Sequence, residues 1–500
     1  MSEKLTRRDV LKLTGAALGG LAVGETTARA AWNDLEPPPG LTEVNTRFNQ
    51  LKPFHPGEAL GAKEMRISFM GTSVIERRAQ ARSSIFVELG NGESFVFDCG
   101  SGVVSNYVAM NVPWSRMRKI FLTHLHGDHT SDLTHIYCFG PQGDAKSPLY
   151  IFGPSASGVR NPDFEKNPRN QIYNPKYYDD GTVKFAQSFR EMNRWHTESQ
   201  SFVSTQWNGA EGDGYDIYAT QLHWRNGNTA RRWTTNSSLK ASPPAFVSSD
   251  PWVAYATSDV RISFFPAIHG RNGSLGYKLE WFTGDGESLS MIFTGDTKPN
   301  RKLIETATAG SAVDVLISEV VVDPEIWVSR QTGISDPTDP KFESGMVNAE
   351  AVQENSHTPE KALGYMLGEM AKRGKAPRLA VGTHFQATDD TMALAFESIR
   401  SLYSGPVTIV TDLEVLNVTK DDITQRRAVV SDYSWSANWT DPRQLNGGQT
   451  PKYADTRECN PYRPSAPLAQ FAPELLEDVI DPCEYDPTGW QCTNRGSCGS

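Results

Sequence analysis

Residues 119–129 read Lys-Ile-Phe-Leu-Thr-His-Leu-His-Gly-Asp-His, a short apolar run followed by three imidazoles and a carboxylate. The run Lys119–Thr123 predicts a buried strand, because it ends in an abrupt change to polar residues. A rigid strand fixes the side chains of the loop that follows it. The polar side chains are therefore predicted to lie together at the end of this strand: His124, His126, Asp128 and His129.

These four side chains are all common metal ligands. At spacings i, i+2, i+4 and i+5 they cannot share one face of a strand or helix, so we expect them to splay around a turn and serve two adjacent ions. Gly127 is expected to allow the tight bend. The alternative is a solvated polar loop with coincidental histidines. Six of the chain's ten histidines fall in the motifs described below, which favours the metal site.

Short apolar or alternating runs elsewhere predict further strands. Those upstream are Arg66–Met70, Ser84–Glu88 and Phe95–Asp98. Those downstream are Val260–Ala267, Leu275–Trp281, Ser290–Phe293, Val313–Ser318, Leu379–Gly382 and Val407–Thr411. Helical patterns cover Thr358–Lys372 and Thr391–Leu402. Strands followed by helices, twice over, predict an α/β sandwich.

The segment that begins at His124 matches the His-x-His-x-Asp-His signature of the metallo-β-lactamase fold superfamily. The chain resembles the ribonuclease Z and arylsulfatase-like branch, because the other motifs follow in order: His269 in Pro266-Ala-Ile-His-Gly, Asp296 in Phe293-Thr-Gly-Asp-Thr297 and His384 in Val381-Gly-Thr-His-Phe385. Met70-Gly-Thr72 and Phe97-Asp-Cys-Gly100 resemble the opening strands of that branch. More distantly, the chain resembles hydrolases of guanitoxin-type biosynthesis. The resemblance spans residues 65–420 and implies a four-layer αββα metallo-β-lactamase sandwich of the α/β class.

The resemblance also implies a role for each ligand. His124, His126 and His269 would hold a first metal ion. Asp128, His129 and His384 would hold a second ion, and Asp296 would bridge both. Imidazole and carboxylate ligands suit Zn²⁺, and Mn²⁺ or iron also accept them. The di-iron oxygen or nitric oxide reductases that share this fold carry Glu where this chain has His126, which argues against their chemistry.

Two such ions imply hydrolysis by a shared hydroxide, and Asp128 beside it would move its proton. His357, in Asn355-Ser-His-Thr-Pro359, resembles the branch's His-Ser or His-Thr motif, which implies a general acid or oxyanion-stabilising role. The alternative is a helix-capping segment in which Ser356 or Thr358 caps and His357 faces solvent. Glu319 is expected to orient a ligand histidine or to lie on the surface.

We therefore expect a dinuclear zinc hydrolase that cleaves an ester of a small molecule, with sulfate esters and phosphodiesters favoured. A lactonase or β-lactamase, a tRNA 3′-processing phosphodiesterase and a non-catalytic metal-binding protein are the alternatives. Nucleic acid is disfavoured because 49 basic against 59 acidic residues give a net charge of −10. The sequence leaves the oligomeric state open, including a homodimer.

Residues 155–260 interrupt the family pattern and contain many aromatic side chains. An insertion at this place could fold over the metals and line an apolar substrate pocket. Alternatively, the aromatics form the core of the insertion itself. The sequence does not decide between these two interpretations.

The first thirty residues resemble a twin-arginine (Tat) export signal, with Arg7-Arg8, an apolar stretch and Ala28-Arg29-Ala30 in that order. We therefore expect interaction with the Tat translocase and a periplasmic or secreted bacterial protein without a transmembrane segment. Residues 31–64 would form an N-terminal extension and 421–500 a C-terminal extension. The C-terminal extension contains four cysteines that predict a disulfide-stapled tail, namely Cys459, Cys483, Cys492 and Cys498. Cys99 and Cys138 are expected in the core.

Overall fold

The computed structural model describes residues 51–434, with gaps at 76, 146, 167–174, 200–213, 228–230 and 271, and also describes residues 480 and 482–488. The predicted export signal and the tail cysteines at 459, 492 and 498 lie outside the described residues. No helix within the described ranges is long and apolar enough to cross a membrane.

The described residues form two β-sheets. Their strands are β1 Lys52–Phe54, β2 Met65–Gly71, β3 Ser84–Leu89, β4 Ser94–Phe97, β5 Lys119–Phe121, β6 Leu149–Pro154, β7 Ile217–Leu222, β8 Arg232–Thr234, β9 Val253–Ala256, β10 Val260–Pro266, β11 Leu275–Gly284, β12 Glu287–Phe293, β13 Val315–Glu319, β14 Leu379–Thr383, β15 Val407–Ile409, β16 Glu414–Val418 and β17 Ile423–Ala428. The first sheet has the order β1-β17-β16-β2-β3-β4-β5-β6-β7-β8, and the second has the order β15-β14-β13-β12-β11-β10-β9.

Strand direction brings several carboxyl ends to one edge. In the second sheet β12, β13 and β14 are parallel, and β10 runs in the same direction because both β10 and β12 are antiparallel to β11. In the first sheet β4, β5 and β6 are parallel. The edges adjoin, since the Leu275 amide donates to the Thr123 carbonyl at 2.9 Å. Loops that follow β5, β10, β12 and β14 can therefore meet.

Some of the described helices cover the outer faces of the two sheets, and others lie in the connections. They are α1 Val103–Ala109, α2 Gly127–Thr130, α3 Leu133–Phe139, α4 Asp163–Lys166, α5 Thr182–Met192, α6 Arg194–Ser199, α7 Ser237–Ala241, α8 Arg301–Thr308, α9 Pro324–Thr332, α10 Pro340–Ser356, α11 Glu360–Lys372, α12 Asp389–Arg400 and α13 Pro482–Tyr485, with 3₁₀ turns at Trp114–Met117 and Gly140–Gln142.

Three large apolar clusters separate the layers. The cluster between the sheets includes Phe121 of the first and Tyr277 of the second. A second cluster packs the first sheet against α1, α3 and α5, and a third packs the second sheet against α8, α11 and α12. Neighbouring strand residues enter different clusters, as Phe86 and Val87 do, which explains the continuous apolar runs of strands that are buried on both faces. The four-layer αββα sandwich predicted from the sequence is confirmed.

The strands and the two helices predicted from periodicity are all present, with ends that differ by a few residues. The first sheet extends beyond residues 65–420, however, because β1 pairs in parallel with β17. Most side chains of β17, Ile-Thr-Gln-Arg-Arg-Ala, are only partly buried, so no apolar pattern marked this strand. The sheet therefore includes residues of both predicted extensions, 31–64 and 421–500.

The described part of residues 155–260 belongs to the sandwich. It supplies β7 and β8 at one end of the first sheet and β9 at one end of the second. Its buried aromatics join the main cores: Phe189 and Tyr215 lie under the first sheet, and Tyr255 lies between the sheets. These aromatic side chains therefore form hydrophobic core, which agrees with the second of the two interpretations of this stretch. Cys99 and Cys138 are buried free thiols, as expected.

Candidate metal centre

Seven predicted ligand side chains meet where the strand ends of the two sheets adjoin. Three groups of side chains have candidate ligand atoms within 4.8 Å of one another; two consist of predicted metal ligands, and the third combines Asp296 and His384 with Glu319 and His357. The first group is His124, His126 and His269, and the second is Asp128, His129, Asp296 and His384. The structure thus brings together all seven residues in the two sets that the family resemblance implied.

Asp296 lies between the two groups. Its Oδ2 is 3.8 Å from His269 Nε2 in the first group and 3.5 Å from His384 Nε2 in the second. Its Oδ1 is 3.4 Å from His129 Nε2. This position suits a carboxylate shared by two ions.

Buried ring nitrogens in the centre lack hydrogen-bond partners. They are His124 Nε2, His129 Nε2 and both ring nitrogens of His384. A buried polar atom without a partner carries a desolvation cost of about 1–3 kcal/mol, and a metal ion bound to the lone pair would relieve that cost. The donor set of imidazoles and carboxylates therefore fits divalent metal ions of the zinc, manganese or iron type.

Neighbouring groups orient the ligand imidazoles. Asp98, which directly follows β4, accepts a hydrogen bond from His129 Nδ1 at 2.7 Å and also accepts from the Thr123 amide and hydroxyl, each at 2.8 Å. His269 Nδ1 donates to the Ser356 carbonyl at 2.7 Å. Such contacts fix the ring and leave the opposite nitrogen for the metal. Asp98 was missed as a site residue, although its place at a strand end beside β5 could have indicated it.

Backbone conformation shapes the loop that carries Asp296. Gly295 has φ +57°, and a Cβ at this position would lie 2.5 Å from Thr123 Cβ. Only glycine allows both the left-handed conformation and this close approach. His384 also has a positive φ, 58°, which is uncommon for a side chain of this type and is held by the surrounding packing.

Gly127 does not have the role that the sequence suggested. It begins the short helix α2, and a Cβ there would meet only Ser131 Oγ at 3.7 Å. The chain turns instead at His126, which has extended backbone before the helix starts. The ligands are spread because a strand end, an extended residue and one helical turn follow each other within six residues.

The electrostatics of the cluster keep its carboxylates ionised. Burial alone would raise the pKa of Asp128, but the contact with His384, whose Nε2 lies 3.5 Å from Asp128 Oδ2, and the nearby His129 hold this pKa at about 2. Burial would likewise raise the pKa of Asp296, yet His384 and His129 hold it well below its usual value. Burial would lower the pKa of His384, but Asp296 and its other acidic neighbours raise it to about 10. In contrast, burial and neighbouring His129 hold the pKa of His124 well below its usual value.

His357 lies at the border of the metal centre. Its Nδ1 is 2.7 Å from Glu319 Oε2, and its ring centroid is 5.0 Å from that of His269. Burial would lower the pKa of His357, but Glu319 outweighs this effect and raises it. The residue ends α10, whereas α11 begins after Pro359 without a side-chain cap, so the capping interpretation is not supported. Glu319 is buried, 1% exposed, rather than on the surface.

The described histidines that matched no motif lie elsewhere. His135 stacks on Trp114, His196 contacts the Cys138 carbonyl, and His223 contacts backbone amides of its own turn. None of these three residues joins the ligand groups of the described chain.

Sequence comparisons match parts of this chain to known proteins. The profile of the Metallo-beta-lactamase superfamily matches residues 77–137. A "Ribonuclease BN" of Proteus mirabilis is 34% identical over 94 residues, which is 18% of this chain and 31% of the relative. A "Ribonuclease Z" of Treponema denticola is 40% identical over 63 residues, 13% of this chain and 20% of the relative. The chain thus spans about a third or less of the length of these relatives.

The solved structures that this chain resembles are more distant in sequence. The metallo-beta-lactamase fold protein YhfI from Bacillus subtilis is 16% identical with a TM-score of 0.40, over 71% of this chain and 100% of that protein. The short form of human tRNase Z is 17% identical with a TM-score of 0.37, over 70% of this chain and 98% of that protein.

Proposed function

We propose that this chain, which has the metallo-β-lactamase fold and ribonuclease Z-like relatives, is a metal-dependent hydrolase that cleaves an ester of a small molecule. The observation that carries the proposal is the convergence of seven ligand side chains from separate strand ends into two adjacent groups. Buried imidazole nitrogens without partners support metal binding by these groups.

Within the proposal each side chain has one task. The first ion would be held by His124, His126 and His269. The second would be held by Asp128, His129 and His384, with Asp296 shared. Two zinc ions in such a site would supply Lewis acidity and an activated water for ester hydrolysis.

The protein residues would orient the ester and move its protons. Asp128 is partly exposed, with 17% of its side chain accessible, so one carboxylate oxygen can accept a proton from an attacking water. The contact of Glu319 with His357 Nδ1 leaves His357 Nε2 as the nitrogen that can donate to a leaving group or to developing negative charge. Glu319 would act as a positioning residue, because it holds the His357 ring without facing the ester.

A small molecule is favoured over nucleic acid by the surroundings of His357. A cavity of about 340 Å³ adjoins His357, and the described residues that line it include no Lys or Arg. Recognition of nucleic acid depends on cations that neutralise successive phosphates. The net charge of −10 supports the same choice. Sulfate esters and phosphodiesters remain our preferred classes, because two cationic centres suit a charged ester.

A ribonuclease Z-like phosphodiesterase is the second candidate. It is favoured by the similarity to proteins named ribonuclease Z and ribonuclease BN. This candidate predicts cleavage of a tRNA precursor with a rate that falls steeply as the salt concentration rises.

Export forms a further part of the proposal. The twin-arginine motif of residues 1–30 supports folding and metal loading before Tat-dependent transport to the periplasm or the medium. A disulfide-stapled tail would then form in the oxidising compartment.

The proposal is tested by metal analysis and a substrate panel on the purified zinc-loaded chain. The panel contains aryl sulfate, phosphodiester, phosphomonoester, lactone and cephalosporin substrates and a tRNA precursor. About two zinc ions per chain and turnover of the aryl sulfate or phosphodiester would support the proposal. Turnover of the lactone or cephalosporin alone would favour the lactonase or β-lactamase alternative. A metal-free protein that is inert to the whole panel after zinc addition would leave a non-catalytic role.

A further inference from the structure

A helical hairpin stands beside the metal centre, between β13 and His357. It consists of α9, Pro324–Thr332, and α10, Pro340–Ser356. The helices approach closely at Gly345, where a Cβ would lie 2.6 Å from Val328 Cγ1. The Gln353 side chain donates to the Val322 carbonyl at 2.8 Å and ties α10 to the segment before α9. The hairpin is thus fixed against the sandwich.

The hairpin and the loops next to it enclose the cavity of about 340 Å³, which we call the hairpin cavity. The accessible surface of its lining is mainly apolar, with Val322, Trp327, Val328, Ala349 and Val352 among its members. Among the described residues no Lys, Arg, Asp or Glu lines it, and the polar members that the structure describes are neutral apart from His357. Water gains few hydrogen bonds in such a space, so apolar ligand surface is favoured there.

The hairpin cavity reaches the catalytic candidates through His357. This residue belongs to the cavity lining, and its ring centroid lies 5.0 Å from that of His269 and 5.8 Å from that of His384. A molecule with its ester group at the metal ligands and its remainder in the hairpin cavity would pass His357 on the way. The cavity is therefore placed to hold one substituent of the ester that reacts.

We propose that the hairpin cavity is the specificity pocket of the enzyme, and that it binds the uncharged apolar substituent of a charged ester. The substituent is an alkyl chain or an aryl ring, and the sulfate or phosphate group lies at the metal centre. This inference rests on the proposed function, because it assigns the substrate of the same site. It places substrate selection in residues 321–357 rather than in the aromatic-rich stretch 155–260.

The size and the chemistry of the hairpin cavity set the expected effect. Its volume lies near the lower end of small-molecule pockets, which is about 300 Å³. Burial of one methylene group corresponds to about a fourfold gain in affinity. Affinity should therefore rise steeply with chain length until the cavity is filled, and a charged group placed at its rim should remove that gain.

Alkyl sulfonates test the proposal without any hydrolysis, because a carbon–sulfur bond replaces the ester bond. Methane-, butane- and octanesulfonate are titrated into the zinc-loaded chain by calorimetry. Val352→Asp is compared with Val347→Asp. Both residues are exposed valines of α10, 57% and 63% accessible, and only Val352 lines the cavity. Ala349→Trp, which fills the space from within, is the second cavity variant.

The expected result is a gain of at least tenfold from methane- to octanesulfonate in the wild type and in Val347→Asp. The gain should be strongly reduced in Val352→Asp and in Ala349→Trp. Equal affinity for the three sulfonates in the wild type, or equal losses in the two valine variants, would overturn the proposal. If the affinity for sulfonates rises with chain length but no ester is turned over, only the proposed hydrolase activity is contradicted. If an ester is turned over but the affinity for sulfonates does not depend on chain length, only the assignment of the hairpin cavity as the specificity pocket is contradicted.

Discussion

The aromatic-rich stretch 155–260 and the hairpin segment 321–357 differ in where their apolar side chains lie. The first supplies edge strands, and its described buried aromatics, such as Tyr255, enter the main cores. The second follows the carboxyl end of β13, and part of its apolar surface lines the hairpin cavity beside His357. Aromatic content therefore did not locate the candidate pocket. The candidate pocket was located by the position of the hairpin segment next to the strand ends that carry the metal ligands.

The largest effect is expected for Asp296→Ala, which tests the centre that both segments surround. Asp296 lies between the two ligand groups and is 2% exposed. Its loss should lower bound metal from two ions towards one or none and abolish hydrolysis, as measured by metal analysis and steady-state kinetics. Asp421→Ala, at an exposed position, is the control. Two retained ions with full activity would contradict a shared carboxylate.

His357→Ala tests the junction between the metal centre and the hairpin cavity. The variant should keep its metal, because His357 is outside the two predicted ligand sets, and should lose rate by about 10²–10⁴-fold as expected for a general acid. Glu319→Gln should give a smaller loss of kcat with little change in KM, because it weakens the orientation of the ring. His55→Ala is the exposed control, and an unchanged rate for His357→Ala would exclude the proton-transfer role.

Tyr255→Ala tests whether the aromatic-rich stretch 155–260 supports the fold rather than binding substrate. Tyr255 is 1% exposed, and its ring packs against Phe95 and Phe246 at centroid distances of 5.2 and 4.9 Å. Its removal should lower the free energy of unfolding by about 3–5 kcal/mol, and KM should stay unchanged while the variant is folded. Urea unfolding measures the first quantity. Trp195→Ala, at 89% exposure in the same stretch, should change stability by less than about 0.5 kcal/mol.

A raised KM without loss of stability in Tyr255→Ala would reverse the roles of the two segments. It would mean that the stretch 155–260 binds substrate and that the hairpin segment mainly supports the fold.

Much of the architecture could be predicted because buried strands have short, nearly continuous apolar runs. The motif at His124 also placed its ligands at the end of such a run. β17 was missed, because its side chains are largely polar and its role is to pair β16 with β1. Local periodicity carries no information on a strand that is held mainly by backbone pairing.

The ligand set could be predicted residue by residue, but its surroundings could not. Asp98 and the Ser356 carbonyl orient His129 and His269 from distant parts of the chain, and no local pattern pairs them. The hairpin cavity depends on the packing of α9 against α10, where Gly345 meets Val328. Such pairings depend on tertiary packing, which outweighs what a single sequence shows.

The smallest effect is expected from Asp412, in the scaffold beside the centre. It accepts hydrogen bonds from the Thr72 hydroxyl at 2.7 Å, the Ala81 amide at 2.6 Å and the Asn106 side chain at 2.9 Å. Burial raises the pKa of Asp412 to about 6 in spite of these bonds. Between about pH 4 and 6 the folded chain therefore holds a proton that the unfolded chain releases. The contribution of Asp412 to stability is full below this window and falls as the pH rises through it, by up to about 3 kcal/mol.

The test of this linkage compares urea unfolding of the wild type and Asp412→Asn from pH 4 to 7. Since Asn does not titrate, the stability of the wild type relative to the variant should decline with rising pH and become constant above about pH 6. Asp421→Asn, at an exposed position, should show no such change relative to the wild type. A stability difference that increases with pH would mean that the three donors outweigh burial and that Asp412 is ionised in the folded chain throughout this range. In that case the scaffold would stabilise a buried carboxylate by hydrogen bonds alone, whereas the neighbouring imidazoles of His384 and His129 hold the pKa of Asp296 low in the metal centre.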